Sequence, residues 1–111
     1  MKLTFAYTDE FVRLAEGVFT DEELRRVELQ LLANPQAGAV IPGTGGVRKL
    51  RVALPRRGKR GAARFIYFHL APRDRLYFLT LYLKNQQPTL SEAGKQRVRS
   101  IADATKKEHL A

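Results

Sequence analysis

The chain has no cysteine. That excludes disulfides, cysteine-ligated zinc, iron–sulfur ligation and thiol nucleophiles in one step, and it suits a reducing, cytoplasmic setting. It has no long hydrophobic run either. Met1-Lys2-Leu3-Thr4-Phe5-Ala6-Tyr7 meets Asp9 and Glu10 before an apolar core of signal-peptide length builds up, so no secretion leader is expected. Nothing approaches the roughly 18 apolar residues of a membrane span. Most telling, positions 29 to 73 contain no Asp or Glu at all.

That last absence locates the charge. The formal net charge is +9, and the acid-free window holds nine basic residues: Arg48, Lys49, Arg51, Arg56, Arg57, Lys59, Arg60, Arg64 and Arg73. Elsewhere basic and acidic side chains are equal in number, so the whole excess sits in one region. A single-sign block focuses potential on one face and draws in a polyanion, which makes nucleic acid the leading partner. A solvated loop without a partner is the plain alternative. A membrane surface is disfavoured because these residues do not form an amphipathic helix.

What is present is enough for a core. At 111 residues, 44% of them apolar and including six Phe and four Tyr, the chain fits one domain over 1–111 that folds without a staple. Leu3, Phe5 and Tyr7 alternate with Lys2, Thr4 and Ala6, the period of a half-buried strand over 2–7. A short helix follows Thr8 and ends at Gly17. Thr20-Asp21-Glu22-Glu23 is a capping box, and Leu24, Val27, Leu31 and Leu32 at helical spacing before Asn34-Pro35 predict a helix over 21–33. Gln36 to Gly46 reads as loop. Its glycines lack the Lys-Ser/Thr pair and following helix of a phosphate-binding loop. Strands are expected at Val47–Leu54, Ala63–Leu70 and Leu76–Leu83, the last two a hairpin apolar enough to be covered on both faces. A final helix begins near Thr89 or Ser91. The expected class is α+β: two N-terminal helices packed on an antiparallel four-stranded sheet (β-α-α-β-β-β), with a C-terminal helix.

Three segments carry a family likeness: Ile41-Pro42-Gly43-Thr44-Gly45-Gly46-Val47-Arg48-Lys49, Gly58-Lys59-Arg60-Gly61-Ala62-Ala63-Arg64-Phe65-Ile66-Tyr67, and Leu81-Tyr82-Leu83-Lys84-Asn85. Together they resemble the HigB-like branch of the RelE/ParE toxin superfamily. The resemblance implies a RelE-like toxin of a type II toxin–antitoxin pair. Such a toxin is held by a cognate antitoxin from the adjacent gene and acts in the A site of the small ribosomal subunit as a messenger RNA endonuclease. Operator DNA would be met only through the antitoxin complex. Neither a metal nor another cofactor is implied, because the ribose 2′-hydroxyl is the nucleophile. A non-catalytic toxin or regulator that binds gyrase, ribosome or nucleic acid is the alternative, since a fold alone does not settle function.

Such chemistry needs orientation of the attack, neutralisation of phosphoryl charge and proton movement. By the resemblance Arg64, opening a central strand, meets the scissile phosphate, with Lys84 for phosphate or proton transfer and Tyr82, on the same strand parity, for base stacking or orientation. Lys59 is a secondary catalytic candidate. Lys49 and Arg51 lie on the parity opposite to Leu50, Val52 and Leu54, so they face away from the core. With Arg48, Arg56, Arg57, Arg60 and Asn85 they are the expected RNA and ribosome contacts. Some relatives carry a catalytic aromatic or histidine near the C-terminus; here only His109 follows Lys84, at an end expected to fray, and His69 reads as a core or rim histidine.

Overall fold

The computed structural model describes residues 2–54 and 61–110. In chain order the elements are β1 (Thr4–Tyr7), α1 (Asp9–Ala15), α2 (Asp21–Ala33), β2 (Ala39–Val40), β3 (Arg48–Ala53), β4 (Ala62–Leu70), β5 (Arg75–Leu83) and α3 (Glu92–Leu110). Local chemistry sets most boundaries. The Thr8 hydroxyl accepts from the Phe11 amide at 3.0 Å and donates to the Leu79 carbonyl at 2.7 Å, so one side chain starts α1 and ties it to β5. The capping box is complete: Thr20 Oγ1 accepts from the Glu23 amide at 3.1 Å, and Glu23 Oε1 accepts from the Thr20 amide at 2.8 Å. Ser91 opens α3 by accepting from the Gly94 amide at 3.0 Å.

The sheet runs β1-β5-β4-β3-β2. It corrects the sequence expectation twice. There are five strands rather than four, and the sheet is mixed, because β1 pairs parallel to β5 from Thr4↔Arg75 to Tyr7↔Phe78. A period of two says which faces a strand presents, but neither its neighbour nor its direction. The additional strand lies in the segment expected to be loop. Gly43, Gly45 and Gly46 adopt φ of 77°, 74° and 105°, and the buried Thr44 hydroxyl donates to the Ile41 carbonyl at 2.6 Å and accepts from the Val47 amide. The chain therefore reverses, and Ala39 and Val40 pair with Lys49 and Arg48. Gly38 is needed at the start of this turn: a Cβ there would lie 2.7 Å from the Lys49 carbonyl oxygen and 2.8 Å from the Tyr67 ring.

Each face of the sheet has its own core. Phe11 and Phe19 with Val27 and Leu31 of α2 pack on Leu50, Phe65, Phe78 and Leu81. On the opposite face Leu90, Val98 and Ala102 pack on Ile66, Phe68, Leu79 and Tyr82. β4 and β5 are thus covered on both sides, as their near-continuous apolar sequences require.

An irregularity in β5 decides where the chemistry lies. Pairing between β4 and β5 steps from Ile66↔Thr80 to Tyr67↔Phe78, leaving Leu79 as the extra residue of a bulge. Leu76 and Phe78 face α1 and α2. Strict alternation would send Thr80 and Tyr82 there too, but the bulge re-aims them to the α3 face.

Candidate nucleic-acid interface

Cross-strand register sets Arg51 of β3 opposite Arg64 of β4, and Arg64 opposite Tyr82 of β5. These three residues form one row on the α3 face. The Leu54 amide donates to the Gly61 carbonyl, so the alternation of antiparallel pairs makes Arg51 and Arg64 a non-hydrogen-bonded pair, the type whose side chains stand closest. Like charges directly opposite each other destabilise a sheet.

Nothing among the described residues relieves them. None of the ion pairs there involves Lys49, Arg51, Arg64 or Lys84. Moreover, Arg64 Nη1 is buried with no hydrogen-bond partner. A buried donor left unpaired costs about 1–3 kcal/mol, more when charged. Two arginines in cross-strand register, one with an orphaned guanidinium donor on central-strand backbone, are complementary to an anion with several oxygens.

The other sequence candidates fall into distinct groups. Lys49 is exposed and lies on the same face as Arg51, opposite Ile66. Tyr82 is adjacent to Arg64, but its ring is only 8% exposed among the α3-face core residues. It therefore has no ring face free for stacking. Burial pushes its phenol up and Arg64 opposes that, so the hydroxyl keeps its proton at neutral pH. Lys84 is exposed, its Nζ donating to the Pro88 carbonyl at 2.7 Å, and Asn85 is exposed beside it. Arg48 lies apart, on the parity of Leu50, where it donates to the Gly38 carbonyl at 2.8 Å and steadies the β2 turn. Arg56, Arg57, Lys59 and Arg60 lie outside the described residues.

Both histidines lie away from the row. His69 has the parity of Phe65 and Tyr67; burial, reinforced by Arg48 and opposed by Asp74, lowers its pKa. His109 is not a loose end. Its Nε2 is 3.1 Å from the Tyr77 hydroxyl and its carbonyl accepts from Arg73 Nε at 2.8 Å, which fastens the end of α3 to the sheet. Two cations of α3 hold the glycine turn, Arg99 donating to the Gly43 carbonyl and Lys106 to that of Gly45. Among the described residues no group of three or more His, Asp or Glu side chains is spaced to hold a metal ion, and no helix is long and apolar enough to cross a membrane.

The fold and this row define a small basic α+β protein with two arginines in register on one sheet face. Residues 6–110 match the family model described as the RelE toxin of the RelE/RelB toxin–antitoxin system, and the chain belongs to that toxin family. The fold is also similar to two solved structures. A double arginine-to-alanine mutant of E. coli toxin RelE, in the free state, matches with a TM-score of 0.64 at 14% identity, over 88% of this chain and 99% of that one. The toxin–antitoxin complex of E. coli RelBE matches with a TM-score of 0.55 at 12% identity, over 72% of this chain and 94% of its own.

Proposed function

We propose that this chain is the toxin of a type II toxin–antitoxin system that cleaves messenger RNA on the ribosome, in the A site, without a metal, and so stops translation in the cytoplasm. The observation that carries this reading is the Arg51–Arg64 pair: two like charges in register, with Arg64 Nη1 buried and unpaired. A phosphodiester fits that pair, and family membership makes RNA the expected source of it.

The RNA supplies its own nucleophile. Its 2′-hydroxyl attacks the adjacent phosphorus and expels the 5′-oxygen, leaving a cyclic phosphate. Arg64 holds the phosphoryl oxygens and neutralises the charge that grows on them, and Arg51 and Lys49 continue the cationic track along the backbone. The Tyr82 hydroxyl orients the phosphate or Arg64. Lys84 is the proton donor or second phosphate contact once it releases the Pro88 carbonyl, with Lys59 as a further candidate. Arg56, Arg57, Arg60 and Asn85 complete the contacts to messenger or ribosomal RNA, while Arg48, on the other face, holds the Gly38 carbonyl. A cognate antitoxin holds the toxin inactive, and operator DNA is met only through that complex. The RelBE complex of E. coli is a precedent for such pairing.

The test is induction in growing cells of the wild type and of Arg64→Ala, with messenger 5′ ends mapped within minutes. New ends within codons, absent from the variant, are expected. Growth arrest without new ends would contradict the nuclease reading and favour a toxin that only binds its target.

A further inference from the structure

β1 stops before β5 does. Its last pair is Tyr7↔Phe78, and Thr8 closes the contact by bonding to the Phe78 and Leu79 carbonyls. From Thr80 to Leu83, β5 therefore has no strand on that side. The direction of its backbone groups follows from the pairing. The Lys84 amide donates to the Ala62 carbonyl, so Lys84, Tyr82 and Thr80 turn their backbone groups toward β4, and Leu81 and Leu83 turn theirs to the open side. The Leu83 carbonyl is taken by the Gln86 and Gln87 amides. Among the described residues, no hydrogen bond is made by the Leu81 amide and carbonyl or by the Leu83 amide.

These groups face a cleft of about 530 Å³. Thr80, Leu81, Tyr82 and Leu83 all line it, although their side chains alternate between faces, so the strand edge itself forms the wall. The Glu10–Arg97 ion pair, at 2.8 Å, ties α1 to α3 beside it. Leu14, Val18 and Leu90 supply apolar surface. Gln86 lines the cleft, is exposed, and makes no side-chain hydrogen bond among the described residues.

We propose that this cleft is a nucleobase pocket, in which the Leu81 and Leu83 backbone groups and the Gln86 carboxamide read the base next to the phosphate held by Arg64. The inference rests on the phosphate role given above to Arg64. An unpaired amide and carbonyl of one residue, side by side between apolar walls, match the donor–acceptor edge of a flat heterocycle. The notch is four residues long, bounded by Thr8 at one end and the Gln86–Gln87 turn at the other, so it suits a short planar group better than an added strand. Its place is right for one nucleotide: Tyr82 both lines the cleft and is the cross-strand neighbour of Arg64. Strand spacing near 4.8 Å puts a group bonded to the open edge of β5 about 10 Å from β4, two spacings away, which is within the reach of one nucleotide from its phosphate to its base.

Titration of the full-length chain with each of the four ribonucleoside 3′-monophosphates, followed by amide NMR, separates the two claims. One base is expected to move the Leu81 and Leu83 amides, and Gln86→Ala to weaken that nucleotide alone by about tenfold. Arg64→Ala should weaken all four alike without changing which is preferred. If the shifts stay at Lys49, Arg51 and Arg64 while Leu81 and Leu83 do not move, the pocket is wrong even if the chain cuts RNA. If the two amides move but no RNA is cut, the pocket stands and the nuclease reading falls. In cut-site maps Gln86→Ala should flatten base preference; an unchanged preference would also overturn the pocket.

Discussion

At the scale of single residues, the site is built against stability. Arg51 and Arg64 oppose each other in a close cross-strand pair, and Arg64 buries an unpaired donor. Removing one charge should relieve that repulsion. Arg51→Ala is expected to raise the urea midpoint modestly while weakening RNA binding; a clear loss of stability would mean that Arg51 is structural. His69 supplies a second residue-scale test. Its pKa is lowered in the fold, so as pH falls through about 6.5 the unfolded chain takes up the proton first. Stability is therefore held above that pH and lost as pH falls toward the folded value. Urea midpoints on either side of pH 6.5 should differ less in His69→Gln than in the wild type; an equal difference would exclude His69 as the cause.

At the scale of elements, the sequence was legible wherever a local rule acts. The Thr20–Glu23 box, Asn34-Pro35 and the glycines around Thr44 each act through their immediate neighbours, and the helix over Asp21–Ala33 appears with the bounds that its caps suggest. The parity of Lys49 and Arg51 against Leu50 was likewise readable. What escaped was non-local. The pairing of β1 with β5 depends on where α1 and α2 carry the chain, and Ala39–Val40 becomes a strand only because the glycine turn brings it onto β3. The Leu79 bulge left no mark in an apolar run that satisfies both faces. Parity places Tyr82 and Lys84 on one face, but which face that is depends on the bulge, which makes it the face of Arg64. Deleting Leu79 removes the extra residue, so the β4–β5 ladder should become regular with Thr80 still opposite Ile66 and Tyr82 still opposite Arg64. The expected outcome is a chain that is less stable, because a buried side chain is lost, but still toxic; a folded deletion without toxicity would show that the bulge itself shapes the site.

At the scale of the whole molecule, charge is divided between the two sides of the sheet. Seven acidic residues lie between Asp9 and Glu28, in the α1–α2 region, while Lys49, Arg51 and Arg64 face the other way. Such an asymmetry would orient a polyanion on approach, which is what the proposed RNA substrate requires. RNA binding should fall linearly with the logarithm of salt concentration, and Lys49→Ala should reduce that slope by about one ion; a slope unchanged in the variant would place Lys49 outside the interface. The measurement that bears most directly on the nuclease assignment is a map of new messenger 5′ ends in a translating extract. Wild type and Arg64→Ala are compared with ribosomes present and removed. Ends that need ribosomes and vanish in the variant are the expected result. Translation blocked with no new ends, or ends that persist in Arg64→Ala, would contradict a ribosome-dependent nuclease built on the Arg51–Arg64 row.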